Sequence, residues 1–241
     1  GAIVANEASD ANRNVISGGG SITLTSATGI NDGQGTPDGF DIDSNGGAVN
    51  LTRTGTGVID VDYESADADA VALTVTVNGG SSQGDVIYNS SATGTLTVGA
   101  ITVANDGGVT LANVADISIT GAIDTSAGGD AINVTATDGG NIALADVDNI
   151  INAGTGSVSL VAAADDITVA DANGAGGVEV ISGVTLTLDA ANIGTSTNRL
   201  DIRDVTSLQI VDSGGSGAGV GGIFVDENNA STIATLSLIH I

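Results

Sequence analysis

The ionic chemistry available to this chain is almost entirely that of carboxylates. Twenty-nine acids stand against four arginines (Arg13, Arg53, Arg199, Arg203), with no lysine, no cysteine and one histidine, His240, for a net charge of −25. His240 lies in a stretch, residues 236–241, that reads as a non-native tail, so the inventory leaves no histidine for a Ser-His-Asp triad or a His-ligated metal. What remains is oxygen chemistry, and three acidic clusters supply it. The glycine-rich stretch 32–43 carries Asp32, Asp38, Asp41 and Asp43, a donor set suited to a hard cation such as calcium. It occurs once and lacks the doubled glycine of nonapeptide calcium repeats. Asp60, Asp62, Glu64, Asp67 and Asp69 form a second cluster and Asp165–Asp166 a third. Solvated turn carboxylates account for all three as well, and that reading is preferred. Calcium is the one cofactor the residues suggest, with Asp32, Asp38, Asp41 and Asp43 as its candidate ligands.

Paired carboxylates also cleave glycosidic bonds. Such a site needs groups converging in a cleft, and here the basic stock is four arginines and the aromatic stock four residues. The chain is therefore expected not to be an enzyme, with a carbohydrate-active protein as the alternative. Three carboxylates and an arginine meeting in one cleft would favour the alternative, whereas acids spread evenly over the turns would favour a structural role.

The elements that must position these acids are short strands. Twenty-five of the acids are Asp and only four are Glu, and there are 37 glycines. Asp and Gly favour turns, whereas Glu favours helices. Apolar–x–apolar segments recur between the turns, including Ile22–Leu24, Leu73–Val77, Val109–Leu111, Ile142–Leu144, Val158–Leu160 and Leu186–Leu188. Five stretches align without gaps, starting at Val109, Ile142, Val158, Val178 and Leu200. Each has two such strands joined by a short polar link. A three-residue strand cannot bury its apolar face alone. Stacking successive coils about 4.8 Å apart solves the problem and builds a continuous core. The predicted fold is an all-β, right-handed parallel β-helix (β-solenoid) with coils of about 20–25 residues. Antiparallel β-sandwich modules are the competing architecture. With 41% apolar residues, no Trp and few aromatics, the core is expected to be aliphatic, without a Tyr anchor.

Charge and hydropathy narrow the partners. A chain this acidic is expected to bind no nucleic acid, which needs basic groups against phosphate. No stretch approaches the ~18 apolar residues of a membrane span, so no membrane insertion is expected.

The pattern Gly-(Ser/Asn)-(Ile/Val)-x-Leu, followed by Ala-x-x-Asp-Ile-x-(Ile/Val), stands here at 140–144 and across 156–169, with a weaker copy at 108–119. It resembles the repeats of filamentous-haemagglutinin-like and autotransporter-type β-helix adhesins and of giant bacterial β-strand-repeat surface proteins. The resemblance implies export to the extracellular space or bacterial cell surface and an adhesive or scaffolding role. It brings no catalytic residues. Surface glycans or other cell-surface molecules are the partners it suggests. Residues 1–235 then read as one solenoid segment of a larger protein, continuing into flanking repeats and prone to end-to-end association. Residues 236–241 read as a non-native tail, against the alternative of a genuine last strand.

Overall fold

The computed structural model describes residues 3–4, 14–31, 39–65, 68, 70–77, 84–103, 106–145, 149–170, 179–182, 184–212, 222–227 and 235–240. Among them are twenty-three strands and no helix, and every strand pairing is parallel. The fold is a β-solenoid, and the antiparallel alternative is set aside by the pairing direction.

Three ladders run along the molecule, one for each side of the coil. On the first side the register passes through Ile3, Ile30, Ile59, Val86, Val109, Ile132, Val158, Leu186, Leu208 and Leu236. On the second it links Val71, Leu96, Ile117, Ile142, Ile167 and Ile193, with a bridge to Ile223. On the third it links Leu24, Leu51, Val75, Ile101, Ile123, Ile151, Val180, Ile202 and Glu227. Along the first ladder the coil length varies from 22 residues (Leu186 to Leu208) to 29 (Ile30 to Ile59), reaching past the expected range.

These ladders form because alternate residues of each strand are aliphatic and point inward. Val109, Leu111, Ile117, Ile119, Ile142, Leu144, Val158, Leu160, Ile167 and Val169 all belong to one buried core. The five segments aligned from sequence do not share a register, however. Val109 and Val158 lie on the first side, Ile142 on the second, and Val180 and Leu200 on the third. The alignment overlaid strands of equal pattern from different sides, which is why its intervals were irregular.

The core also departs from the aliphatic expectation. Tyr63 and Tyr88 are fully buried, their ring centroids 6.5 Å apart on neighbouring coils, and Phe40, in register with Val61, is buried as well. The Tyr63 hydroxyl shares hydrogen bonds with the Ser44 hydroxyl (3.3 Å) and the Gly46 N–H (3.4 Å), so a phenol closes this layer of an otherwise aliphatic column.

Two local features shape the coils. Near the start, the second and third sides are one continuous strand, Val71–Val77. A register shift between Val98 and Ile101 bends the next strand, and the following coil carries separate strands at Ile117–Ile119 and Ile123–Asp124. On the first side, Ile59–Tyr63 covers two shorter strands of the coil before it: Ile30 faces Ile59, while Phe40 and Ile42 face Val61 and Tyr63. The chain between those two strands contains Asp32 and Asp38, which lie outside the described residues. The sequence assigned to a non-native tail supplies most of the strand Thr235–His240, paired in register with Ser207–Asp212.

Candidate functional site

The acids take their positions from the coil boundaries. Asp116, Asn141, Asp166 and Asn192 each directly precede a residue of the second ladder (Ile117, Ile142, Ile167 and Ile193), so coil stacking places them in one column. The Asp116 Oδ1 accepts the backbone N–H of Asn141 (2.8 Å) and its side-chain amide (3.2 Å). The Asn141 Oδ1 accepts the backbone N–H of Asp166 (3.2 Å), and the Asn192 amide donates to the Asp166 carboxylate. The Asn192 Oδ1 then accepts the N–H of Gly222 at 3.1 Å. Carboxylate and amide alternate, so every negative group meets a donor from the next coil instead of another carboxylate.

The same arrangement recurs at other corners. Asp62 accepts the Gly39 N–H (2.8 Å) and the Asn89 amide (2.9 Å). Asp85 accepts the Gly108 N–H (2.9 Å), Asp130 the Gly107 N–H (2.7 Å), and the buried Glu179 the Asp201 N–H (2.7 Å). In each pair donor and acceptor lie 22 to 27 residues apart, which is one coil. Charge-assisted hydrogen bonds of this kind are stronger than neutral ones. The carboxylates act as staples between coils.

Of the proposed calcium ligands, Asp41 and Asp43 are described. Asp41 stands outward, in register with Asp62 on the next coil, and its backbone N–H donates to Asn14 Oδ1 at 2.9 Å. Asp43 is almost buried, and its Oδ1 accepts the N–H of Asn45 (2.8 Å), stabilising that residue at φ +48°. Asp60 and Asp62 share a strand with Tyr63, while Asp67 and Asp69 fall outside the described residues, as do Asp32 and Asp38. In the third cluster Asp166 belongs to the staple column, and Asp165 Oδ1 accepts its N–H at 3.1 Å. Among the described residues, no three His, Cys, Asp or Glu side chains come together as a metal-binding group.

The described arginines are dispersed. Arg199 and Arg203 make exposed ion pairs with Asp226 (3.6 Å) and Asp204 (3.7 Å). Arg53 points inward and is 3% exposed, its guanidinium packed over Gly84, where a Cβ would leave no room for it. Burial pulls its pKa down, and the neighbouring Asp85 carboxylate works against that shift.

An open depression of about 370 Å³ lies beside the end of the staple column. Asp166, Thr168, Asn192, Thr195, Ser196 and Phe224 are among the residues lining it, and the Phe224 ring lies over Gly222. One carboxylate and no arginine line it, short of the convergence that catalytic chemistry of the glycosidase type requires. Compared with protein-family models, curated proteins and solved structures, the chain matches none. Among the described residues, no helix is long and apolar enough to cross a membrane.

Sequence reasoning missed the staple column, though its signal is present. An Asp or Asn followed by Ile occurs at 116, 141, 166 and 192, at intervals of 25, 25 and 26 residues. Clusters of acids close together in sequence drew attention instead. The functional pairs lie one coil apart.

Proposed function

We propose that this chain is a structural or adhesive length of β-solenoid in a large secreted or cell-surface bacterial protein, and that it performs no catalysis. The observation that carries the reading is the disposition of five acids: Asp62, Asp85, Asp116, Asp130 and Glu179 each hold a backbone N–H of an adjacent coil. Carboxylates used this way make a long stack cohesive and leave its surface acidic and soluble. The repeat resemblance to β-helix adhesins points the same way. Beads coated with the chain should be retained on glycan-bearing or bacterial surfaces, and a panel of polysaccharides incubated with it should release no reducing ends. Steady release of reducing ends would overturn the reading.

A second reading, polysaccharide binding, is favoured by one observation: the depression beside Phe224 combines an aromatic ring with hydroxyl, amide and carboxylate groups. A glycan array read with wild type and Phe224→Ala tests it. Calcium belongs to the proposal as an ion shared by Asp41 and Asp43 with Asp32 and Asp38. Stabilisation by calcium that is abolished by Asp38→Asn with Asp41→Asn places it there, because a ligand bound only to the folded state raises stability. An unchanged melting point on adding calcium removes it.

A further inference from the structure

The outward face of the first coils carries threonines in two columns. Thr25, Thr52, Thr76 and Thr102 are directly paired in register across four successive strands. The parallel column runs Thr23, Asn50, Thr74 and ends at the bulge formed by Gly99 and Ala100. Strand spacing puts neighbours in a column about 4.8 Å apart, and the two columns about 6.6 Å apart.

Two properties set this grid apart. First, none of the six threonine hydroxyls hydrogen-bonds to another described residue. Elsewhere the hydroxyls of Thr120 and Thr137 donate to carbonyls of the preceding coil. Second, the grid is uncharged. The outward positions of Ile22–Ser26, Val49–Arg53, Val71–Val77 and Leu96–Val103 hold only Thr, Asn, Ala and Gly, in a chain of net charge −25. The next residue in the longer column is Asp124, where the neutral surface stops.

A ligand matched to this surface must be uncharged, must hydrogen-bond hydroxyls at two fixed repeats, and must tolerate the threonine methyls between them. A crystal lattice of water meets all three requirements, and its oxygen repeats are of the same order as the two spacings. We propose that the threonine grid is an ice-binding face. The hydroxyls hydrogen-bond water held in lattice positions, while the methyls exclude disordered water between the columns. This does not depend on the shaft reading, and it would give an exported solenoid a solid surface to hold.

The test uses the whole chain, labelled and present while an ice hemisphere grows slowly. Wild type should be enriched in the ice several-fold over an inert protein of similar size, and should inhibit ice recrystallisation. Thr52→Lys with Thr76→Lys should return it to the inert level. Thr110→Lys, on the first side, should not. Circular-dichroism melting of each variant separates loss of the face from loss of the fold. Thr52→Val, which keeps the shape and removes one hydroxyl, should lower enrichment without changing the melt. Exclusion of wild type from ice overturns the proposal. So does enrichment that survives the double lysine variant. Grid-dependent dimerisation, or grid-dependent binding to a crystalline polysaccharide, without ice uptake would also overturn it and reassign the face.

Discussion

A carboxylate at the corner of a stacked coil has a specific use, because the turn leaves backbone N–H groups that the strand ladders do not reach. Asp116, Asp85 and Asp130 each take one such group from a neighbouring coil. The alternation with asparagine matters as much as the acid. Asn141→Asp would set three carboxylates in succession along one corner, at a cost of about 1–2 kcal/mol at low ionic strength. The variant should melt below Asn141→Ala at low salt, and the gap should close at high salt as the repulsion is screened. Equal melting at all salt concentrations would mean the column is not electrostatic. Tyr88 offers a second test. Burial, aided by the nearby Tyr63, pushes its phenol pKa well above the ordinary value, and its hydroxyl has no partner among the described residues. The folded state therefore favours the protonated phenol. That contribution is full below about pH 10, and is lost as pH rises from there toward the higher folded pKa. Tyr88→Phe should be as stable as wild type or more so at neutral pH, since an unpaired buried hydroxyl is costly. It should also lose less stability in alkaline melts. A Tyr88→Phe variant destabilised by more than about 1 kcal/mol would mean the hydroxyl is hydrogen-bonded.

At the scale of the strand and its turn, coil stacking depends on close backbone approach. Gly57 has φ +115°, and a Cβ there would lie 1.8 Å from the Thr28 carbonyl oxygen of the preceding coil. Gly18 has nothing within 4 Å of its Cβ position. Gly57→Ala should cost more than about 1 kcal/mol, and Gly18→Ala should stay within about 0.5 kcal/mol of wild type in denaturant melts. Similar losses at both sites would show that the Gly57 corner is not packed against its neighbour. The strands themselves were legible in the sequence, because an inward apolar residue at every second position is a local pattern: Val109 and Leu111, or Ile142 and Leu144, announce their burial without knowledge of their partners. Register was not legible. Val109 pairs with Ile132, yet its sequence resembles Ile142 equally well, since all three sides of the coil want the same apolar–polar–apolar triplet. The tyrosines were misjudged for a related reason. Two phenols among 241 residues carry no periodicity, and only the register that sets Val61 opposite Tyr88 and Tyr63 opposite Ser90 brings the two rings together on the diagonal.

Across the whole molecule, the account rests on one arrangement: coils stacked in parallel, so that residues 21 to 30 apart in sequence become neighbours along an axis. The candidate site was only partly legible for the same reason. Asp41 and Asp62 are 21 residues apart and stand in register, a relation that appears only once the coils are superposed. The acids, the buried tyrosines and the threonine grid all acquire their roles from that superposition. One outward column runs through Ile87, Thr110, Asn133, Ser159, Thr187 and Gln209, one residue per coil. Spin labels paired between position 87 and positions 159, 187 and 209 measure the stack directly. The separations should increase by about 5 Å with each added coil, reaching roughly 24 Å between the backbones at 87 and 209. Separations that fail to grow coil by coil, or that place 187 nearer to 87 than 159 is, would contradict the parallel stack and every assignment built on it.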